Sequence, residues 1–124
     1  MSKPMEERAD HVELVAIAAE QLSAITFVQD YVQLHFDGPM LTAITWPVVM
    51  IDGESFDFDT PGYRDRLCDF IAKQVARCYV RPGDRLQVDF KGYGSLLVSL
   101  KPEAYRSGEA VIFSDGKTEQ WAVW

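Results

Sequence analysis

A histidine oriented by a carboxylate is the smallest arrangement that can take a proton from a substrate, and this chain offers one such pair through a repeat. Residues 13–23 slid forward by 53 fall on 66–76, with Leu14 on Leu67, Ala19 on Ala72 and Gln21 on Gln74. At a shift of 54, Asp30, Gln33, Phe36 and Gly38 fall on Asp84, Gln87, Phe90 and Gly92, and His35 lands on Asp89. If a pseudo-twofold axis relates the two copies, Gln33, His35, Gln87 and Asp89 would line one ligand-binding or general-base site on the polar faces of two matched strands. No nucleophile signature stands beside them, and a polar strand face is ordinarily just solvated.

Other reactive residue types are sparse. His11 and Glu13 are two apart at an expected helix start and so would not face each other. With two histidines and two distant cysteines there is no tetrahedral zinc spacing. The acidic run Asp52, Glu54, Asp57, Asp59 lacks the glycine and terminal glutamate of a calcium loop and reads as a solvated linker. Cys68 and Cys78 have Arg64 and Arg77 within a few residues, but buried structural thiols are far commoner than activated ones. Lys101 and Tyr105-Arg106-Ser107-Gly108 form a basic loop that could meet an anion or a partner. Trp46, Trp121 and Trp124 offer large contact area, and a tryptophan at the last position points to a covered C-terminus at an interface. Tyr105, Arg106 and Trp124 are therefore the candidate interaction residues. No Walker loop or G-x-G-x-x-G element precedes a helix, so no cofactor is expected.

The elements that must position these residues follow from periodicity. Val12, Val15, Ala16, Ala19 and Leu22 recur at spacings of three and four, predicting a helix from Asp10 to about Leu22 with an Asp10–Glu13 capping box. Strands are expected over 24–29, 31–36 and 41–51, with turns at Asp37-Gly38 and Asp52-Gly53 and an edge or bulge at Pro47. Thr60 as cap and Pro61 at the first position predict a second helix carrying Tyr63, Leu67, Phe70 and Ile71. Strands over 76–81, 85–90 and 95–100 follow. In the middle one, Leu86, Val88 and Phe90 point inward against Arg85, Gln87 and Asp89. Strands over 110–114 and 119–124 close the chain. The expected architecture is α+β: a twisted antiparallel sheet with two helices on one face, built from a pseudo-duplicated α-β-β-β unit. It would be a single domain over 1–124, with the pseudo-repeat at about 10–51 and 61–100 and a C-terminal hairpin at 109–124.

The chain has 124 residues, 48 % hydrophobic and 25 % charged, enough to bury a core without disulfides or metal. Its net charge of −7 disfavours phosphate backbones and anionic lipid. No nucleic acid or membrane is expected as a partner, and a basic protein or a second copy is compatible. No apolar run approaches the ~20 residues of a bilayer span, the first ten residues lack a signal-peptide pattern, and the two cysteines read as free thiols. These point to the cytoplasm.

Asp30 through Gly38 (D-Y-V-Q-L-H-F-D-G), Leu41 through Pro47, Pro61-Gly62-Tyr63-Arg64-Asp65, and Glu109-Ala110 before Asp115-Gly116 together resemble small bacterial proteins classed as domains of unknown function, over residues 23–124. The resemblance implies an intracellular α+β protein and carries over no functional residue. Some small acidic bacterial proteins of similar look serve as immunity partners of toxins. The resulting expectation is a non-catalytic binding or interaction module, with a small-ligand-binding protein or minor enzyme as the alternative.

Overall fold

The computed structural model describes residues 12–101, 111–114 and 121–123. In chain order the elements are β1 (Val12–Glu13), β2 (Ala24–Val28), β3 (Tyr31–His35), β4 (Met40–Ala43), β5 (Val48–Ile51), β6 (Glu54–Phe56), α1 (Tyr63–Cys68), β7 (Val75–Arg81), β8 (Arg85–Phe90), β9 (Gly94–Ser99), β10 (Val111–Ser114) and β11 (Trp121–Val123). They form two antiparallel sheets, one ordered β1-β7-β8-β9-β5-β6 and the other β11-β10-β4-β3-β2. This overturns the expected α+β architecture: the protein is mostly β, and α1 is its one helix among the described residues.

The helix expected over 10–22 is absent from Val12 onward. Val12 and Glu13 pair instead with Val80 and Tyr79 of β7, and the Leu14 amide donates to the Cys78 carbonyl at 2.8 Å. Val12 is 43 % and Val15 77 % exposed, while Leu14, Ile17 and Leu22 are buried. Of the residues read as the apolar face, Val12, Val15, Ala16 and Ala19 are exposed and only Leu22 is buried; Leu14 and Ile17, joined by one turn, enter the core instead. A short stand-alone helix with β-branched Val12 and Val15 has little to hold it against sheet pairing. The second helix is shorter than expected and starts later. Thr60 bonds to Asp57 rather than capping it, and Gly62 stands at the N-cap with φ 82. Ala72, at φ 77, is left-handed just beyond it.

Residues aligned at the shift of 53 meet directly. Gln21 and Gln74 form an isolated antiparallel bridge. Gln21 Nε2 donates to the Ala72 carbonyl at 2.8 Å and Gln74 Nε2 to the Ala19 carbonyl at 2.9 Å. Ala19 and Ala72 share a left-handed backbone, φ 71 and 77, which alanine adopts at a cost of roughly 1–2 kcal/mol. The paired carbonyls and the burial of Leu14, Ile17, Leu67 and Phe70 beside them hold that conformation in place.

Two three-stranded meanders, β2-β3-β4 and β7-β8-β9, build the centres of the two sheets, and the strand after each crosses over. The stretch expected as one strand over 41–51 splits: residues 44–47 leave the five-stranded sheet, and β5 pairs with β9 in the other. Pro47, without an N–H, sits at the crossing, where its carbonyl accepts from the Tyr63 hydroxyl. In return β10 crosses to pair with β4, and β11 pairs on its outer side. Asp52-Gly53, both left-handed at φ 53 and 79, close the β5–β6 hairpin as a two-residue primed turn. Gly94 is required by proximity: a Cβ there would lie 2.3 Å from the Met50 carbonyl on β5.

Alternation places the core between the sheets. Val32, Leu34, Leu41, Ala43 and Val111 enter it from the five-stranded sheet, and Val49, Leu86, Val88, Leu96 and Val98 from the six-stranded one, all in one continuous cluster. Leu14, Ile17, Leu22, Leu67 and Phe70 close an end of it. At ~25 cal/mol per Å² of apolar surface, this burial is the main term holding the fold. Among the described residues no helix is long and apolar enough to cross a membrane.

Candidate functional site

Two surface regions gather the chemically capable side chains. The first is the outer face of the six-stranded sheet, where core residues of β7–β9 alternate with a row of bonded polar groups. The Tyr79 hydroxyl donates to Gln87 Oε1 at 2.9 Å, and Arg85 Nε donates to the same oxygen at 2.7 Å. Gln87 Nε2 donates to Asp89 Oδ1 at 2.7 Å, and the Ser95 hydroxyl donates to that carboxylate oxygen at 2.6 Å. Arg85 also pairs with Asp84 at 2.9 Å. At the β1 end, Arg77 clasps Glu13 at 2.7 Å and lies 4.2 Å from the Tyr79 ring centroid. Register explains the row: Tyr79 stands opposite Gln87, and Asp89 opposite Ser95. Beside it, Val48, Asp84, Arg85, Leu97, Ser99 and Lys101 line a shallow concavity of about 250 Å³.

The second region is the open side of the five-stranded sheet. β2 is its last strand, and its five residues carry no charge. Ile25 and Phe27 lie opposite the buried Leu34 and Val32, so they belong to the core-facing side. Among the described residues no strand lies beyond β2, and Phe27 and Val28 are each 36 % exposed. Phe58, 37 % exposed, stacks on Trp46 at 4.5 Å between centroids and meets Tyr63 edge-on at 5.9 Å. The Arg64 guanidinium spans the gap, 5.1 Å from the Phe58 ring centre and 5.9 Å from that of Phe27. Such cation–π contacts contribute about 0.5–1 kcal/mol at exposed positions. The edge and the loop before α1 thus form one aromatic surface.

The expected four-residue site does not assemble. Gln87 and Asp89 lie on β8 in the first region. Gln33 and His35 lie on β3, in the other sheet, where His35 Nε2 is 3.0 Å from the Thr26 hydroxyl and Gln33 Nε2 reaches Thr42 at 3.5 Å. Each pair alternates with core residues of its own sheet, so the two pairs stand on opposite outer faces. Of the expected interaction residues, Tyr105, Arg106 and Trp124 lie outside the described residues, as does His11.

The thiols are poorly disposed to react. Burial pushes the Cys78 thiol well above its ordinary range, and the Glu13 and Asp89 carboxylates push it further. Cys68, exposed on α1, is raised first by partial desolvation and then by Asp65 and Asp69. Burial likewise raises the Tyr63 hydroxyl, which keeps its proton for Pro47. No group of three or more potential metal ligands occurs among the described residues.

The β2 surface went unrecognised in the sequence because an edge is a property of strand order. The usable signal was the uncharged run Ala24–Val28, a segment without the lysine, proline or bulge that usually blunts an edge. No protein-family model, no curated protein and no solved structure matches the chain.

Proposed function

We propose that this protein is a non-catalytic binding module that docks a protein partner at the β2 edge and its aromatic flank. The observation that carries the reading is the joint exposure of Phe27, Val28 and Phe58 along an uncharged edge strand, with Arg64 laid across both rings. Exposed apolar area backed by aromatic and arginine side chains is the usual composition of an interface centre. The other sheet ends are shorter: β1 has two residues, β6 three and β11 three, against five in β2.

The test is recovery of a stoichiometric partner from the native cell by the full chain and by Phe27→Asp. The partner is expected with the first and absent with the second, while the two melt within a few degrees of each other. Equal recovery by both would remove β2 from the interface.

A second reading is supported by the concavity between Arg85 and Lys101 beside the bonded row of Gln87 and Asp89. A small anionic ligand there would raise the melting temperature of the wild type and not of Lys101→Ala. No shift across a broad ligand screen counts against it.

A further inference from the structure

We infer that the β2 edge accepts an extended segment of the partner as a sixth strand of its sheet, and that this segment alternates apolar residues with Lys or Arg. The inference rests on the docking reading above and adds the shape and charge of the occupant.

The strand form follows from the backbone. An edge strand presents a row of N–H and C=O groups to its open side, and an incoming extended chain satisfies them. Side chains at alternate positions of that chain would stand on the core-facing side, beside Ile25 and Phe27 and over the exposed Phe58. These are the apolar positions. The intervening ones continue the outer face beyond Ala24, Thr26 and Val28 and meet solvent.

The charge follows from an asymmetry along the chain. Between Arg8 and Arg64 there is no Lys or Arg, but there are nine Asp and Glu residues; from Arg64 onward, ten basic residues accompany eight acidic ones. The fold leaves basic residues off the described strands of the five-stranded sheet, while the six-stranded sheet carries both signs, with Glu13 on β1, Glu54 on β6 and Asp89 on β8. β2, β3, β4 and β10 and the turns within the first meander contain no Lys or Arg, and Asp30 and Asp37 occupy those turns. Arg77, Arg81 and Arg85 lie on β7 and β8 of the other sheet. Among the described residues Arg64 is the cation in contact with an edge ring, spread over two rings, with Asp65 beside it and Asp57 and Asp59 flanking Phe58. A basic strand approaching β2 is therefore attracted by Asp30, Asp37, Asp57 and Asp59 and by the net charge of −7, and a second copy, carrying the same acidic turns and the same net charge, is repelled.

The probes are two heptapeptides, one alternating valine and lysine and one alternating valine and glutamate, titrated into the full chain while amide exchange is followed. The lysine peptide should slow exchange over Ala24–Val28 and bind at least about tenfold tighter than the glutamate peptide at low salt, with the gap closing as salt rises. Successive N–H groups of a strand point to opposite edges. N-methylation of one alternate set of peptide residues should therefore abolish binding, and methylation of the other set should leave it. This control needs no change to the protein. Equal binding of both peptides, equal effects of both methylation sets, or protection elsewhere than β2 would overturn the inference. So would a dimer of the chain alone that protects β2, since the occupant would then be a second copy. The peptide results leave the docking reading standing, since it depends on partner recovery with Phe27→Asp, whereas a dimer would make a second copy the protein docked there.

Discussion

Across β7–β9, Tyr79, Arg85, Gln87, Asp89 and Ser95 are tied to one another in an unbroken row, whereas along β2 the exposed positions are uncharged and no described strand pairs with its outer side. The first surface gains little from any newcomer, because each donor that would greet it already has an acceptor and would have to give it up. The second loses nothing on contact and hides apolar area. Exposed polarity and exposed function are thus separated: the groups that look chemically rich maintain the sheet, and the plain strand is the one with unused capacity.

The contrast can be broken most severely at Gly94. Gly94→Ala drives a methyl group against the Met50 carbonyl and should lower unfolding stability by about 1–3 kcal/mol in a denaturant titration. A loss near zero would mean that β5 and β9 are not held at that distance.

Alkaline pH should act on the closed part of the molecule next. The folded Tyr63 and Cys78 groups hold their protons above their ordinary values of 10.0 and 9.0. Their stabilising contribution is complete below those values, because neither state has yet released the proton. It declines as pH rises beyond them, since only the unfolded chain then deprotonates. Stability should fall from about pH 9 upward, and Tyr63→Phe should lessen the fall above pH 10. An unchanged slope in that variant would remove Tyr63 as a cause.

The reciprocal glutamines should come third. Gln21→Ala and Gln74→Ala should each reduce stability by about 0.5–1 kcal/mol. The double variant should lose less than the sum if the two side chains hold one shared bridge, as a double-mutant cycle would reveal.

Thr26→Lys sharpens the comparison from the open side. It places a cation on the outer side of β2 and gives up the exposed Thr26–His35 hydrogen bond, so stability should fall by no more than about 1 kcal/mol. Partner recovery should nevertheless drop through repulsion of a basic strand. A stability loss above 1 kcal/mol would show that β2 is less open than its exposure indicates.

Much of the strand pattern was legible locally. In β3 and β8 strict alternation gave both the strands and their buried faces, and Asp52-Gly53 gave its turn, though β6 beyond it lies in a stretch that reads as a linker. What failed required distant partners. Val12 and Glu13 joined a sheet because β7, more than sixty residues away, offered an edge, and no local periodicity carries that information. The stretch over 41–51 looked continuous because both of its halves are β-formers, yet each half belongs to a different sheet. The same limit dispersed the expected site. A constant shift relates His35 to Asp89 in order along the chain, but it does not say whether the two strands are neighbours or outer walls.

The exchange of strands between the sheets has a consequence for how the polypeptide matures. While it is being made, the first meander emerges with the flank of β4 bare, and the strand that covers it, beginning at Val111, is made only after β5 to β9 have followed. The half made first cannot complete its own wall until the strands of the second half have been made, so its sheet closes late and through slow long-range pairing.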